Sequence, residues 1–249
     1  MNYKIELAYD GGRYDGWQKQ GNTAMTIQGK LEAVLSRMTG EKVEVHGSGR
    51  TDAGVHAMGQ TANFHLREEK NPGELLASLN RYLPEDIQVL SCRQVPERFH
   101  SRLLAVRKTY RYQIEMGPKK DVFLRDYYYG LGQLLDVKAM ETAASYLVGS
   151  HDFKSFCGNR KMKKSTVRTI ETIEFRRPDD TKLQIFVTGD GFLQQMVRIV
   201  TGTLIEVGQG KRSPEDMEAI LGAKDRAMAG FTAPAQGLCL KKVEYEEEL

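Results

Sequence analysis

Residues 3–9, Tyr3-Lys4-Ile5-Glu6-Leu7-Ala8-Tyr9, alternate apolar and polar side chains as a half-buried strand does. The next apolar series, Ile27, Leu31, Val34, Leu35 and Met38, recurs at helical spacing behind Thr26, a residue type that caps helix N-termini. Strand followed by helix sets the reading of what comes next. Residues 42–48 and 56–66 read as two strands flanking a glycine-rich segment, and Asn71-Pro72 opens a helix carrying Leu75, Leu76, Leu79 and Leu83. Residues 86–95 read as a closing strand. The order β-α-β-β-α-β is that of a ferredoxin-like unit, in which helices cover one face of an antiparallel sheet.

The remainder of the chain repeats the order. A strand around Thr109–Met116 precedes a helix starting at Asp136 and carrying Met140, Ala143, Ala144 and Leu147. Strands near 167–176 and 182–188 meet at the polar turn Pro178-Asp179-Asp180, and Phe192, Met196, Ile199, Val200, Thr203, Leu204 and Val207 mark a helix stopped by Gly208. A short helix follows Ser213-Pro214, and a last strand runs through Leu238, Leu240, Val243 and Tyr245. Element order, in the absence of any detectable sequence repeat, predicts an α+β chain of two ferredoxin-like or RRM-like halves, residues 1–104 and 105–249. These halves are expected to share a continuous antiparallel sheet with helices on one face and a cleft between them.

With 249 residues, 40% of them hydrophobic, the chain is long enough to bury its own core. Cys92, Cys157 and Cys239 stand apart, without a CxxC pair or an even-numbered framework, so neither a disulfide scaffold nor a structural zinc site is indicated. The first residues lead straight into a strand pattern, and no apolar run is long enough to cross a bilayer; a cytoplasmic protein without membrane attachment is expected.

A net charge of +3 excludes little by itself, but its distribution is uneven. Between Arg93 and Lys120 lie Arg93, Arg98, Arg102, Arg107, Lys108, Arg111, Lys119 and Lys120 against Glu97 and Glu115; Arg160–Arg168 holds five basic residues and no acid. Acids gather elsewhere, as in Glu244-Tyr245-Glu246-Glu247-Glu248. Either basic run alone is ordinarily a solvated surface. Two of them in a nearly neutral chain suggest a face for a polyanion, where phosphate contacts supply affinity without sequence preference.

The densest signal is residues 45–57, VHGSGRTDAGVHA, which puts Arg50 and Asp52 two residues apart in a glycine-rich loop between strands. Taken alone, it is equally a turn in which Asp52 bonds local amides and the glycines supply positive φ. A phosphate-cradling P-loop is disfavoured because its lysine is missing and a strand follows; a serine elbow fails because Gly47-Ser48-Gly49 lacks the GxSxG spacing. His46, His56, His65, His100 and His151 form no metal-ligand pattern, so no metal site is expected.

These residues also carry a resemblance. From YDGGRYDGWQKQ near the start to TAPAQGLCL near the end, the chain resembles the TruA family of tRNA pseudouridine synthases. GRTDAGVHA is the most specific block. TIQGKLE, FHSR, KTYRYQI, HDFKSF, VRTI, GDGFLQQMVR and GLCL follow the family's order. The resemblance implies the two-halved fold, a homodimer holding tRNA, and conversion of uridine to pseudouridine in the anticodon arm, just 3′ of the anticodon. No cofactor is implied. Asp52 matches the catalytic carboxylate, a group ionised at neutral pH without prior activation. It can attack C1′, add to C6 of the uracil or take a proton from C2′, and the sequence leaves the three routes open.

The resemblance further places Tyr110 against the uracil ring, although an ordinary strand tyrosine would read the same way. Arg198 matches an arginine that pairs with the carboxylate and keeps it ionised. Arg50 matches one that enters the RNA where the target nucleotide leaves the stack, because a stacked base cannot be reached. Leu238 and Leu240 include an apolar wall of the uracil pocket. Phe99, His100, Ser101 and Arg102, with Lys161, Lys163 and Lys164 in the 158–166 loop, fall in tRNA-contacting stretches. Two blocks depart from the pattern: FHSRLLA replaces FHARFSA, and AGFTAPA replaces AGPTAPA. The first bears on which uridines are modified.

Overall fold

The computed structural model describes residues 1–118 and 121–246. Lys119 and Lys120 of the first basic run, and Glu247 and Glu248 of the acidic tail, lie outside the described residues. The fold is mixed α+β, and the chain divides into two compact units, Met1–Val106 with Cys239–Leu249, and Arg107–Leu238.

In the first unit the strands are β1 (Asn2–Tyr9), β2 (Val45–Gly47), β3 (His56–His65) and β4 (Ile87–Val95), with helices α1 (Ile27–Thr39) and α2 (Pro72–Tyr82). β1 lies between β4 and β3, antiparallel to both, and β2 runs antiparallel along the far end of β3. The order β4-β1-β3-β2 is that of a ferredoxin-like unit. The alternation in β1 is realised on one face: Tyr3, Ile5 and Leu7 are fully buried while Lys4, Glu6 and Ala8 are half-buried. α1 and α2 supply Ile27, Leu31, Leu35, Leu75 and Leu79 to the core, each buried aliphatic side chain contributing about 1.5–3 kcal/mol.

Thr26 caps α1, its Oγ1 accepting from the Gly29 N–H at 3.2 Å, and Asn71 caps α2 ahead of Pro72 at its first position. The strand expected over 42–48 is shorter, Val45–Gly47, where the ladder sets Val45, His46 and Gly47 opposite Phe64, Asn63 and Ala62 of β3. The last strand, β10 (Leu238–Tyr245), joins the free part of β3 in parallel, with Cys239 opposite His56 and Leu240 opposite Ala57.

The second unit contains β5 (Ala105–Glu115), β6 (Tyr129–Gly130), β7 (Gly149–Asp152), β8 (Val167–Arg176) and β9 (Lys182–Gly189), with α3 (Val137–Ser145), α4 (Met196–Gly208) and α5 (Asp216–Ala223). β5, β9, β8 and β7 pair antiparallel in that order, and β6 adds a short parallel pair with β5. α4 begins at Met196, not at Phe192, because Gln195 takes a left-handed φ of 60° that no helix tolerates. It also runs through Gly208, with Gln209 as its cap, so the glycine does not stop it. Among the described residues no helix is long and apolar enough to cross a membrane.

Candidate active site

The loop from Ser48 to Val55, between β2 and β3, is fixed from beneath by buried polar groups. The Ser48 N–H donates to Thr61 O at 2.8 Å, Ser48 Oγ to Gln60 Oε1 at 2.6 Å, and Gln60 Nε2 to Gly49 O at 3.1 Å. Tyr9 reaches the loop with its hydroxyl, 2.9 Å from Thr51 Oγ1. Burial pushes that phenol well above the ordinary tyrosine range, so it remains a neutral hydrogen-bonding group. Ser48 and Gln60 are fully buried and Thr51 nearly so. Buried polar groups that are all satisfied lock a loop into one conformation.

A second loop, Asp10–Trp17, backs the first. The Trp17 N–H donates to Thr51 O at 3.0 Å and the Gly54 N–H to Tyr14 O at 3.2 Å. Asp86 grips this backing loop, accepting from Arg13 Nε and Nη2 at 2.9 and 2.6 Å and from the Tyr14 hydroxyl at 2.6 Å. Gly16 has φ +93°, and a Cβ there would lie 2.6 Å from Thr51 O, so the two loops touch backbone to backbone. With Thr51 turned inward, its neighbours take the outer side: Asp52 is half-buried and Arg50 exposed. Arg50 donates through Nε to Gln18 Oε1 at 2.9 Å.

In the second unit, Tyr110 lies on β5 opposite Val187, only 8% exposed, its ring edge-on to Phe192 at 5.2 Å. Arg198 stands in the first turn of α4 and is held by the loop 226–234. Its Nε donates to Ala233 O at 2.7 Å, and the Ala233 N–H returns a bond to Arg198 O at 3.1 Å. The loop is itself pinned by Arg226, which donates to Gly230 O at 2.9 Å and Thr232 Oγ1 at 3.1 Å, and by the Tyr112 hydroxyl, which donates to Pro234 O at 2.8 Å. Gly202 permits its approach, since a Cβ there would sit 1.9 Å from Phe231 O. Burial raises the Tyr112 phenol far above its ordinary range, against the opposing pull of the Arg198 charge. Phe231, where the family pattern has proline, is partly exposed. Leu238 and Leu240 are buried on β10.

The segment 99–102 divides by depth. Phe99 and Ser101 are buried, His100 is half-buried and Arg102 exposed. Asn2 Nδ2 donates to Phe99 O at 2.8 Å, Asn63 Oδ1 accepts the Ser101 N–H at 2.9 Å, and the Tyr245 hydroxyl donates to Ser101 O at 2.6 Å. His100 packs beside His46, ring centroids 5.2 Å apart, and burial, reinforced by His46, lowers its pKa. Lys161, Lys163 and Lys164 are exposed in the loop between Cys157 and Val167. Among the described residues no group of three or more His, Cys, Asp or Glu side chains is placed to hold a metal.

Tyr9, Gln60 and Asp86, which hold the Asp52 loop and its backing, were not among the residues expected from the sequence to serve the site. Tyr9 reads there as one more core aromatic. Gln60 is the one signal available, a long polar side chain inside the 56–66 strand whose neighbours are largely small or apolar.

Comparison with known proteins bears on what this arrangement serves. The family profile described as tRNA pseudouridine synthase matches residues 7–103 and 143–246, which takes in Arg50, Asp52, Arg198 and both β10 leucines. A tRNA pseudouridine synthase A of Bacillus sp. (strain KSM-64) is 48% identical over 98% of this chain and 99% of its own. Clostridium tetani has two similar proteins, tRNA pseudouridine synthase A 1 and A 2, each 46% identical over 98% of this chain. The solved Cbf5–Nop10–Gar1 complex aligns with 98% of this chain and 50% of that chain at 11% identity and a TM-score of 0.38, a likeness too slight to bear on the fold. A profile match over most of the chain, together with near-half identity end to end, places the protein in the tRNA pseudouridine synthase family, as an isomerase acting on tRNA.

Proposed function

We propose that this isomerase converts uridine to pseudouridine in the anticodon arm of tRNA, just 3′ of the anticodon, with Asp52 as its catalytic carboxylate. The observation that carries the reading is the Ser48–Val55 loop: a base of buried polar bonds supports Asp52 and Arg50, on either side of the buried Thr51. A reacting group needs that rigidity, because catalytic gain depends on holding it near its attack geometry.

The reaction is an isomerisation without net gain or loss of atoms. The bond from C1′ to N1 breaks, the uracil turns, and C1′ bonds C5; the C5 proton is released and the freed N1 takes up a proton. Asp52 begins this at C1′, at C6 or at the C2′ proton, each of which requires the ionised carboxylate. Arg198 supplies the cation assigned to the carboxylate. Tyr110 stacks on the detached base, and Leu238 and Leu240 furnish its apolar wall. Arg50 enters the RNA where the target nucleotide leaves the stack.

Backbone phosphates are met by Lys161, Lys163 and Lys164 and by His100 and Arg102, with Phe99 and Ser101 anchoring the latter pair from the core. The protein acts in the cytoplasm as a homodimer, and no cofactor is required. The paired A 1 and A 2 relatives of one organism favour specialisation among paralogues in the uridines chosen, to which the altered FHSRLLA block contributes.

The test is incubation with unmodified tRNA tritiated at uridine C5, without added metal or nucleotide. Tritium release supports the reading, and sequencing of carbodiimide-treated product then locates the sites. Binding without release contradicts it, and modification confined to another arm contradicts the position.

A further inference from the structure

Behind Arg50 runs a chain of three side chains that none of the roles above requires. Glu32 of α1 is only 7% exposed, and three donors satisfy it. The Val45 N–H and Gln28 Nε2 reach its Oε1 at 3.2 and 2.9 Å, and Lys19 Nζ reaches Oε2 at 2.9 Å. Gln28, equally buried, donates through Nε2 to both Glu32 Oε1 and Val45 O, the latter at 3.1 Å. Its Oε1 accepts from Gln18 Nε2 at 2.7 Å and from the Lys19 N–H at 2.9 Å.

This leaves no freedom in the direction of the chain. A carboxylate only accepts, so the amide of Gln28 must turn its nitrogen to Glu32 and its oxygen outward. Gln18 must then spend its own nitrogen on Gln28, and it presents an oxygen to the loop. That oxygen takes the Arg50 Nε–H at 2.9 Å, a charge-assisted bond to an otherwise exposed side chain.

We propose that Gln18, oriented through Gln28 by the buried Glu32, is a positioning residue that holds the Arg50 guanidinium ready to enter the RNA. A long exposed arginine loses much rotamer freedom when it is fixed in a nucleic acid. Holding it beforehand lowers that cost at the step where the base unstacks, and leaves overall tRNA affinity to the phosphate contacts. The inference rests on the role of Arg50 proposed above, and the test separates the two.

Single-turnover pseudouridine formation at saturating enzyme is measured for Gln18→Ala, Arg50→Ala and the double variant. The fluorescence of 2-aminopurine placed beside the target uridine reports unstacking in the same complexes. Gln18 is half-exposed, so its truncation leaves the core intact; an unchanged Tm verifies this. Gln18→Ala should slow the reaction about tenfold and reduce the unstacking signal, the loss expected of one hydrogen bond to a charged group. Its affinity for tRNA should stay within about twofold of wild type. Gln18→Asn, too short to bridge Gln28 and Arg50, should show the same loss.

The deciding comparison is the double variant, which should be no slower than Arg50→Ala alone, since Gln18 acts only through Arg50. Losses that multiply, or a wild-type rate for Gln18→Ala beside a slow Arg50→Ala, overturn the proposal. A wild-type rate for Arg50→Ala overturns the role of Arg50, and the proposal with it.

Discussion

Gly16→Ala is the substitution that the backing of the Asp52 loop makes most informative. Two costs add at this position. An alanine at φ +93° lies outside the usual backbone regions, a strain of about 1–3 kcal/mol. The added Cβ would also stand 2.6 Å from Thr51 O and 3.1 Å from Ala53 N, both backbone atoms of the loop that carries Asp52, and overpacking of this kind costs about 1–3 kcal/mol. The sum, about 2–6 kcal/mol, lowers Tm by roughly 4–24 °C in a chain of this size. Relief requires separating Gly16 from the Thr51 carbonyl, which strains the bond between the Trp17 N–H and Thr51 O and loosens the support of Asp52. Single-turnover tritium release at a temperature where the variant is fully folded should therefore fall as well. Gly21→Ala serves as the control, since nothing lies within 4 Å of a Cβ at that position. A Gly16→Ala protein with wild-type Tm and wild-type rate refutes the claim that the backing loop positions the catalytic one.

Two further outcomes follow from other parts of the molecule. Replacing Lys161, Lys163 and Lys164 together with Gln should weaken tRNA binding and flatten its salt dependence by about 0.7–0.9 log units for each phosphate no longer neutralised, while sparing single-turnover chemistry at saturating enzyme; an unchanged salt slope counts against a role for that loop. Asp152 is held below the ordinary carboxylate range, first by the Thr166 hydroxyl and then by Lys224 and the Lys154 N–H, against an opposing effect of burial. Folded, it binds fewer protons than unfolded, so its contribution is present above the unfolded-state pKa and lost as pH falls through the lower folded-state value. Asp152→Asn should accordingly lose Tm near neutrality and show a shallower decline below about pH 4, and an acid limb identical to wild type refutes this.

Much of the fold was legible because it depends on periodicity. The strand Tyr3–Tyr9, the helix after Thr26, the Asn71-Pro72 start and the 182–188 strand each rest on a pattern that local sterics impose. The differences lie where tertiary contact decides. Nothing in residues 192–195 announces that Gln195 adopts φ 60° and delays α4 to Met196. β6 and β7 are four residues or fewer, too short for alternation to register, and exist because β5 and β8 offer them edges. At the candidate site, the reading of Asp52 and Arg50 came from a motif dense enough to identify. Their supports did not, because Tyr9, Gln60, Asp86 and the Gln18–Gln28–Glu32 chain are scattered along the sequence and meet only in the folded unit.

Asp52→Asn tests the central claim most directly, since it keeps the side-chain volume and removes the charge. Tritium release from C5-labelled tRNA, measured in a single turnover with enzyme in excess, should be undetectable, while affinity for the same tRNA stays within about threefold of wild type. An Asp52→Asn enzyme that still forms pseudouridine contradicts the assignment of the catalytic carboxylate, and one that loses tRNA binding instead makes the loop an element of recognition.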